Sequence, residues 1–178
     1  NVGVSFARHL AEEPAPDVFV IEVSSFQLDS IQYFRPQVAA ILNITPDHLD
    51  RYNYEMEGYI DSKMRIAKNQ EAGDTFWYLA EDENIANGME RNPVAAQLRP
   101  VSKAQLTEKG IQIGAEEIDL TNTQLKGKHN ALNALFAAGM VQTFGISTED
   151  IRKGLESFEP VPHRLEPVGV IDGVEYIN

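Results

Sequence analysis

The chain has 178 residues, 43% of them apolar, no cysteine, and a net charge of −12 from 15 Lys and Arg against 27 Asp and Glu. Length and apolar content suit one domain with a hydrophobic core, and the lack of cysteine excludes disulfides and thiolate-held metals. No apolar run reaches the roughly 18 residues of a membrane span, no signal-peptide pattern is present, and the negative field disfavours nucleic acid and anionic membranes; the expected location is cytoplasmic.

In chain order, 18–23 (Val-Phe-Val-Ile-Glu-Val) is a near-continuous apolar run of strand length, the pattern of a parallel strand buried on both faces. Residues 38–42 and 75–79 read as two more such strands. A short helix is expected over 26–33, ended at Arg35-Pro36, and a longer one over 55–70, ended by Gly73. This strand–helix alternation predicts an α/β fold with a mostly parallel sheet flanked by helices. Over 93–126 helical periodicity disappears, and the short pieces 110–114 and 117–120 read as a small antiparallel sheet. A helix follows over 129–144, its apolar stripe formed by Leu132, Leu135, Phe136, Met140 and Val141, and another starts behind Ser147 as N-cap and ends near Ser157. Strands over 164–170 and 174–177 flank Asp172-Gly173, a hairpin signal. The chain opens at Asn1 without methionine and stops at Asn178 directly after an apolar run, so it reads as an excised domain.

Several side chains can carry chemistry. Glu22 stands at the carboxyl end of the first expected strand, where open α/β sheets bind ligands; it is equally an edge glutamate facing water. After the second strand, 43–51 (Asn-Ile-Thr-Pro-Asp-His-Leu-Asp-Arg) crowds Asp47, His48, Asp50 and Arg51 into five residues, with His48 a candidate ligand through a neutral ring nitrogen. Helix capping by Asp47 is the plainer alternative, and it leaves His48 and Arg51 unexplained. Lys63 borders an apolar helical stripe, where a lysine ordinarily snorkels to water. Asn130 and Asn133 share one helix face behind Lys126-Gly127-Lys128, and Arg164 follows Pro162-His163 as a candidate phosphate clamp. No Walker-type loop occurs anywhere in the chain. The residues alone therefore reach an α/β domain with a ligand crevice holding Glu22, His48 and Arg164, and no reaction.

Five stretches in this order resemble the Mur ligase family: Glu-Val-Ser-Ser-Phe-Gln-Leu at 22–28, the 43–51 segment, Tyr-Ile-Asp-Ser-Lys at 59–63, Gly-Lys-His-Asn-Ala-Leu-Asn at 127–133, and Pro-His-Arg at 162–164. The Ser-Ser-Phe-Gln-Leu form points to the branch that adds D-glutamate. The resemblance covers essentially the whole chain. It implies the family's central domain, of P-loop-NTPase-like architecture, over 1–178, with the phosphate-loop strand, the uridine-binding N-terminal domain and the C-terminal domain lying outside.

The resemblance further implies ATP-driven amide-bond formation through an acyl phosphate, joining D-glutamate to UDP-N-acetylmuramoyl-L-alanine during peptidoglycan synthesis. Glu22, His48 and Lys63 would hold Mg²⁺, with two ions in the intact enzyme, and Lys63 would carry a CO₂-derived carbamate. Asn130, Asn133 and Arg164 would contact ATP. Asn1, Ser24, Gln27 and His48 would line the muramoyl substrate. An oxygen-lined magnesium site would also help an anionic nucleotide to bind against the chain's charge. The intact enzyme is expected to be monomeric and the chain alone inactive. The alternatives are another Mur or folylpolyglutamate-type ligase, or a non-catalytic nucleotide-binding module.

Overall fold

A computed structural model describes residues 6–11, 16–160 and 167–177. After a short helix α1 (Phe6–Ala11), the chain runs through α2 (Ser25–Leu28) into β1 (Val38–Ile41), α3 (Met56–Met64), β2 (Thr75–Leu79), α4 (Glu83–Arg91) and β3 (Gln97–Val101). The three strands form a parallel sheet in the order β1-β2-β3, with Val38 opposite Thr75 and Thr75 opposite Gln97. Each parallel step is bridged by a helix, because a tight turn cannot join parallel neighbours. In the central strand β2, Phe76 is fully buried and Thr75 and Leu79 nearly so, which explains its near-continuous apolar sequence.

α3 and α4 lie side by side. Asp82 starts α4 by accepting the Ile85 N–H at 3.0 Å. Ile85 and Gly88 form its buried edge. A Cβ at Gly88 would stand 2.8 Å from both Ile60 Cγ2 and Met64 Cγ, so the missing side chain lets the two helices approach. At the amino ends of β1 and β2, Arg35 holds Asp74 by two bonds, Nε to Oδ2 at 2.8 Å and Nη2 to Oδ1 at 3.2 Å. Asp74, 3% exposed, also accepts the Glu71 N–H at 2.7 Å. The Arg35 hydrogen bonds hold its carboxyl below the ordinary aspartate value, against the opposing effect of burial.

The small antiparallel sheet is present as β4 (Gly110–Ile113) and β5 (Glu116–Asp119), turning through Gly114 at φ +59°. Next come α5 (Gly127–Gln142) and α6 (Thr148–Glu156), whose N-cap Ser147 accepts the Asp150 N–H as expected. α5 packs on the sheet where Gly139 meets Trp77: a Cβ there would lie 2.4 Å from the indole Cζ3. The hairpin β6 (Pro167–Ile171) and β7 (Val174–Ile177) turns at Asp172 and Gly173, both at positive φ, as the Asp-Gly pair demands.

Four expectations change. Residues 18–23 form no regular element and join no sheet, and Val20 is 95% exposed. A two-faced apolar strand needs a ladder partner and covering layers, and the described residues supply neither. The 26–33 helix shrinks to the four residues of α2. The 55–70 helix ends at Met64 and tightens into a 3₁₀ turn over Arg65–Ala67, short of Gly73. Finally, 97–101 is a third parallel strand rather than part of the antiparallel piece. Its Gln97 N–H donates to the Asp74 carbonyl at 2.9 Å, so by alternation the nitrogen of Pro100 faces away from β2, the one side on which a strand tolerates proline. Among the described residues, no helix is long and apolar enough to cross a membrane.

Candidate functional site

The loop after β1 is pinned at its start and carries several unusual backbone conformations. Buried Ile44 is fixed from both sides of its peptide: its N–H donates to Asp82 Oδ2 at 2.9 Å, and Asn84 Nδ2 donates to its carbonyl at 2.8 Å. Beyond it, His48, Asn53 and Tyr54 all take left-handed backbone, at φ 50°, 55° and 63°. Each such non-glycine residue costs of order 1–3 kcal/mol, a concentration of strain typical of functional loops. His48 opens a 3₁₀ turn over Leu49–Tyr52. Its N–H donates to Asp47 Oδ1 at 2.9 Å, and its Nε2 lies 3.5 Å from Asp47 Oδ2. Asp47 thus braces the histidine backbone instead of capping a long helix.

α2 meets this loop. It is a four-residue helix held by a capping box: Gln27 N–H donates to Ser24 Oγ at 3.4 Å, and Ser24 N–H to Gln27 Oε1 at 2.9 Å. Ser24 and Gln27 therefore bond to each other. Phe26 projects to the neighbouring loop, with the His48 ring edge-on at 5.2 Å and the Arg51 guanidinium 4.2 Å above the Phe26 ring. α3 anchors the other side of α2. The buried Ser62 Oγ lies 3.0 Å from the Ser25 carbonyl and 2.6 Å from Asp29 Oδ1, and accepts from Tyr52 Oη at 3.1 Å. Arg65 Nε donates to the Leu28 carbonyl at 2.8 Å.

Lys63, half-buried on α3, sets its Nζ 4.8 Å over the ring of Tyr59, which in turn packs on Tyr52 at 5.4 Å. Contacts of Phe26 with His48, of Ser62 with Ser25 and of Tyr52 with Ser62 thus join the three segments that carry Ser24 and Gln27, His48, and Lys63. Glu22 is exposed on the segment 18–23, and no hydrogen bond or ion pair joins it to His48 or Lys63. Among the described residues, no trio of His, Cys, Asp or Glu stands ready to hold a metal.

Asn130 and Asn133 sit on the first turns of α5, half-buried; the Asn130 amide donates to the Lys126 carbonyl at 2.9 Å. A cleft of about 960 Å³ opens beside that helix end, with Lys103, Lys109, Lys126, Lys128 and His129 in its wall, but neither asparagine lines it. Asn1 and Arg164 lie outside the described residues. Sequence reasoning passed over Ser62, Tyr52 and Asp82. Only the Asp82-to-Ile85 capping pattern was visible in the sequence; the other contacts join residues 10 to 38 positions apart.

Residues 1–141 match the family model of the Mur ligase middle domain. All of this chain aligns, at 48% identity over 189 residues, with the UDP-N-acetylmuramoylalanine–D-glutamate ligase of Christiangramia forsetii. The ligase of the same name from Porphyromonas gingivalis is 40% identical over 191 residues, again across 100% of the chain. The chain spans 42% of the length of each of these relatives. Among solved structures, MurF from Acinetobacter baumannii superposes with a TM-score of 0.63 at 22% identity, covering 78% of this chain and 32% of its own. A murein peptide ligase from Psychrobacter arcticus gives 0.53 at 16%, covering 82% and 32%. These two likenesses speak for the fold, whereas the match over 1–141 speaks for descent: the chain belongs to the Mur ligase family.

Proposed function

We propose that this chain is the ATP- and magnesium-handling part of a cytoplasmic, monomeric ligase that joins D-glutamate to UDP-N-acetylmuramoyl-L-alanine in peptidoglycan synthesis. The observation that carries the reading is the 48% identity, over the whole chain, to a ligase of that name. In this reaction ATP transfers its terminal phosphoryl group to the alanine carboxylate, giving an acyl phosphate and ADP. The D-glutamate amine then attacks the acyl carbon, the C–O bond to phosphate breaks, and the amine gives up a proton as the amide forms.

The donor chemistry fits magnesium. Mg²⁺ is usually held by one or two carboxylates, with water and substrate phosphates completing its shell. In this reading the exposed Glu22 carboxylate and the exposed His48 imidazole would each supply one ligand, with water and the nucleotide phosphates completing the shell. When bound, the ion neutralises the charge that gathers on the transferring phosphoryl group. Lys63 as an ammonium would repel it, so the reading requires a carbamate on Lys63, which presents oxygens instead. Asn130 and Asn133 would orient the nucleotide and Arg164 its terminal phosphate. Asn1, Ser24, Gln27 and His48 would position the muramoyl substrate, for which the Ser24–Gln27 capping box would have to open or share its bonds. A second ion would bind in the intact enzyme. The chain alone, having no Walker-type loop in its sequence, is proposed to be inactive.

The test is phosphate release from ATP by the intact ligase carrying this chain. It is given UDP-N-acetylmuramoyl-L-alanine and, in turn, D-glutamate, L-glutamate, L-lysine and L-alanine. Release that depends on D-glutamate alone is expected. Release with another amino acid would sink the D-glutamate assignment, and no release with any would sink the ligase reading.

A further inference from the structure

We propose that Phe26 is a positioning residue for His48, fixing the imidazole at the geometry in which it meets the metal–nucleotide ligand. This deepens the ligase reading and rests on it. His48 projects from a left-handed backbone position, and its side chain is 58% exposed, with Asp47 3.5 Å from its Nε2. An imidazole so exposed would lose rotamer freedom on binding a ligand unless a neighbour had already restrained it. Phe26 is that neighbour. The rings meet at 5.2 Å and 60°, the edge-on arrangement that aromatic quadrupoles favour. The same ring holds the Arg51 guanidinium at 4.2 Å, so the turn from 48 to 51 rests on one side chain at both ends.

The platform itself is stiff. α2 is tied to α3 through the Ser62 contact with the Ser25 carbonyl and the Arg65 bond to the Leu28 carbonyl, neither of which involves Ser24 or Gln27. A strained loop therefore takes its alignment from a rigid element. Phenylalanine has no group that ligates a metal or moves a proton, so in this arrangement its influence on the site passes through the side chains stacked on it.

The experiment measures Mn²⁺ affinity of the intact ligase in the presence of a non-hydrolysable ATP analogue, together with kcat and KM. The proteins are wild type, Phe26→Leu, Phe26→Tyr, His48→Ala and the Phe26→Leu/His48→Ala double variant. Phe26→Leu should weaken Mn²⁺ about three- to tenfold, the effect of one aromatic pair. It should lower kcat in step and leave KM for the amino acid unchanged. Phe26→Tyr, which keeps the ring, should restore affinity to within about twofold of wild type. In the His48→Ala background, Phe26→Leu should do nothing more. Should Phe26→Leu fold poorly, Phe26→Met carries the same expectation. Unchanged affinity on loss of the ring overturns the proposal, as does a loss that persists without His48. A wild type that binds Mn²⁺ but shows no D-glutamate-dependent turnover sinks the ligase reading alone, because the coupling is still measured. A wild type that binds no Mn²⁺ overturns both.

Discussion

Replacing Asp74 with asparagine removes a charge that is almost fully buried while leaving the side chain's size unchanged. Asp74 accepts two bonds from Arg35 and one from the Glu71 N–H. Breaking a buried pair by deleting one partner costs about 3–5 kcal/mol where the survivor stays dry. The Arg35 side chain is 39% exposed and regains water, and asparagine still offers one acceptor, so the expected loss is nearer 2 kcal/mol. That corresponds to a melting point lower by roughly 4–8 °C for a domain of this size. Urea unfolding of both proteins across pH is the assay. Because the folded Asp74 carboxyl titrates below its ordinary value, the stabilisation is complete above about pH 4 and fades as pH falls through the folded pKa. The amide of the Asp74→Asn variant does not titrate, so the gap between the two proteins should close in acid. A gap under about 0.5 kcal/mol at pH 7, or one that stays constant to about pH 2, would refute the assignment of this pair as a stabilising clamp.

Three further substitutions test the packing around the site. Gly139→Ala should destabilise by about 1 kcal/mol, since overlap with the Trp77 ring costs about 1–3 and the better helix former returns about 1; the chain's single tryptophan should report the change in its fluorescence. Ser62→Ala, which empties the junction of Ser25, Asp29 and Tyr52, should cost about 1–3 kcal/mol in urea unfolding and speed amide exchange in α2. Asp82→Ala should cost about 1–2 kcal/mol by removing the α4 cap and the Ile44 tether, with the Ile44 amide losing exchange protection; unchanged protection at Ile44 would show that the loop holds itself.

Much of this fold could be read from local pattern. β2 announced itself as four apolar residues behind Thr75, α6 by its Ser147 cap, and the last hairpin by Asp172-Gly173. α4 went unread because its apolar edge is only Ile85, Gly88 and Met89 on an otherwise polar helix, and β3 because Pro100 argues against a strand until its nitrogen is known to face outward. Residues 18–23 misled in the opposite direction: an apolar run records what a segment can bury, not whether a partner lies beside it. At the site, residue types were legible and most of their relations were not. Nothing in the sequence says that His48 adopts left-handed backbone or that Phe26 reaches both it and Arg51, whereas the place of Lys63 over Tyr59 follows from their four-residue spacing on one helix. The reach of Phe26 depends on α2 docking against α3, which the long-range bonds of Ser62 and Arg65 fix.

The outward nitrogen of Pro100 gives the parallel sheet a direction of growth. Without a hydrogen there, the outer rim of β3, which pairs with no other strand among the described residues, lacks a continuous row of donors, and edge-to-edge pairing on that flank is disfavoured. β1 has no proline among its four residues, and its far rim keeps an uninterrupted set of peptide groups. A strand that widens this sheet finds an uninterrupted rim beside Val38–Ile41, the strand whose carboxyl end leads into the His48 loop. A strand added on that flank would therefore lie next to the strained loop that carries His48.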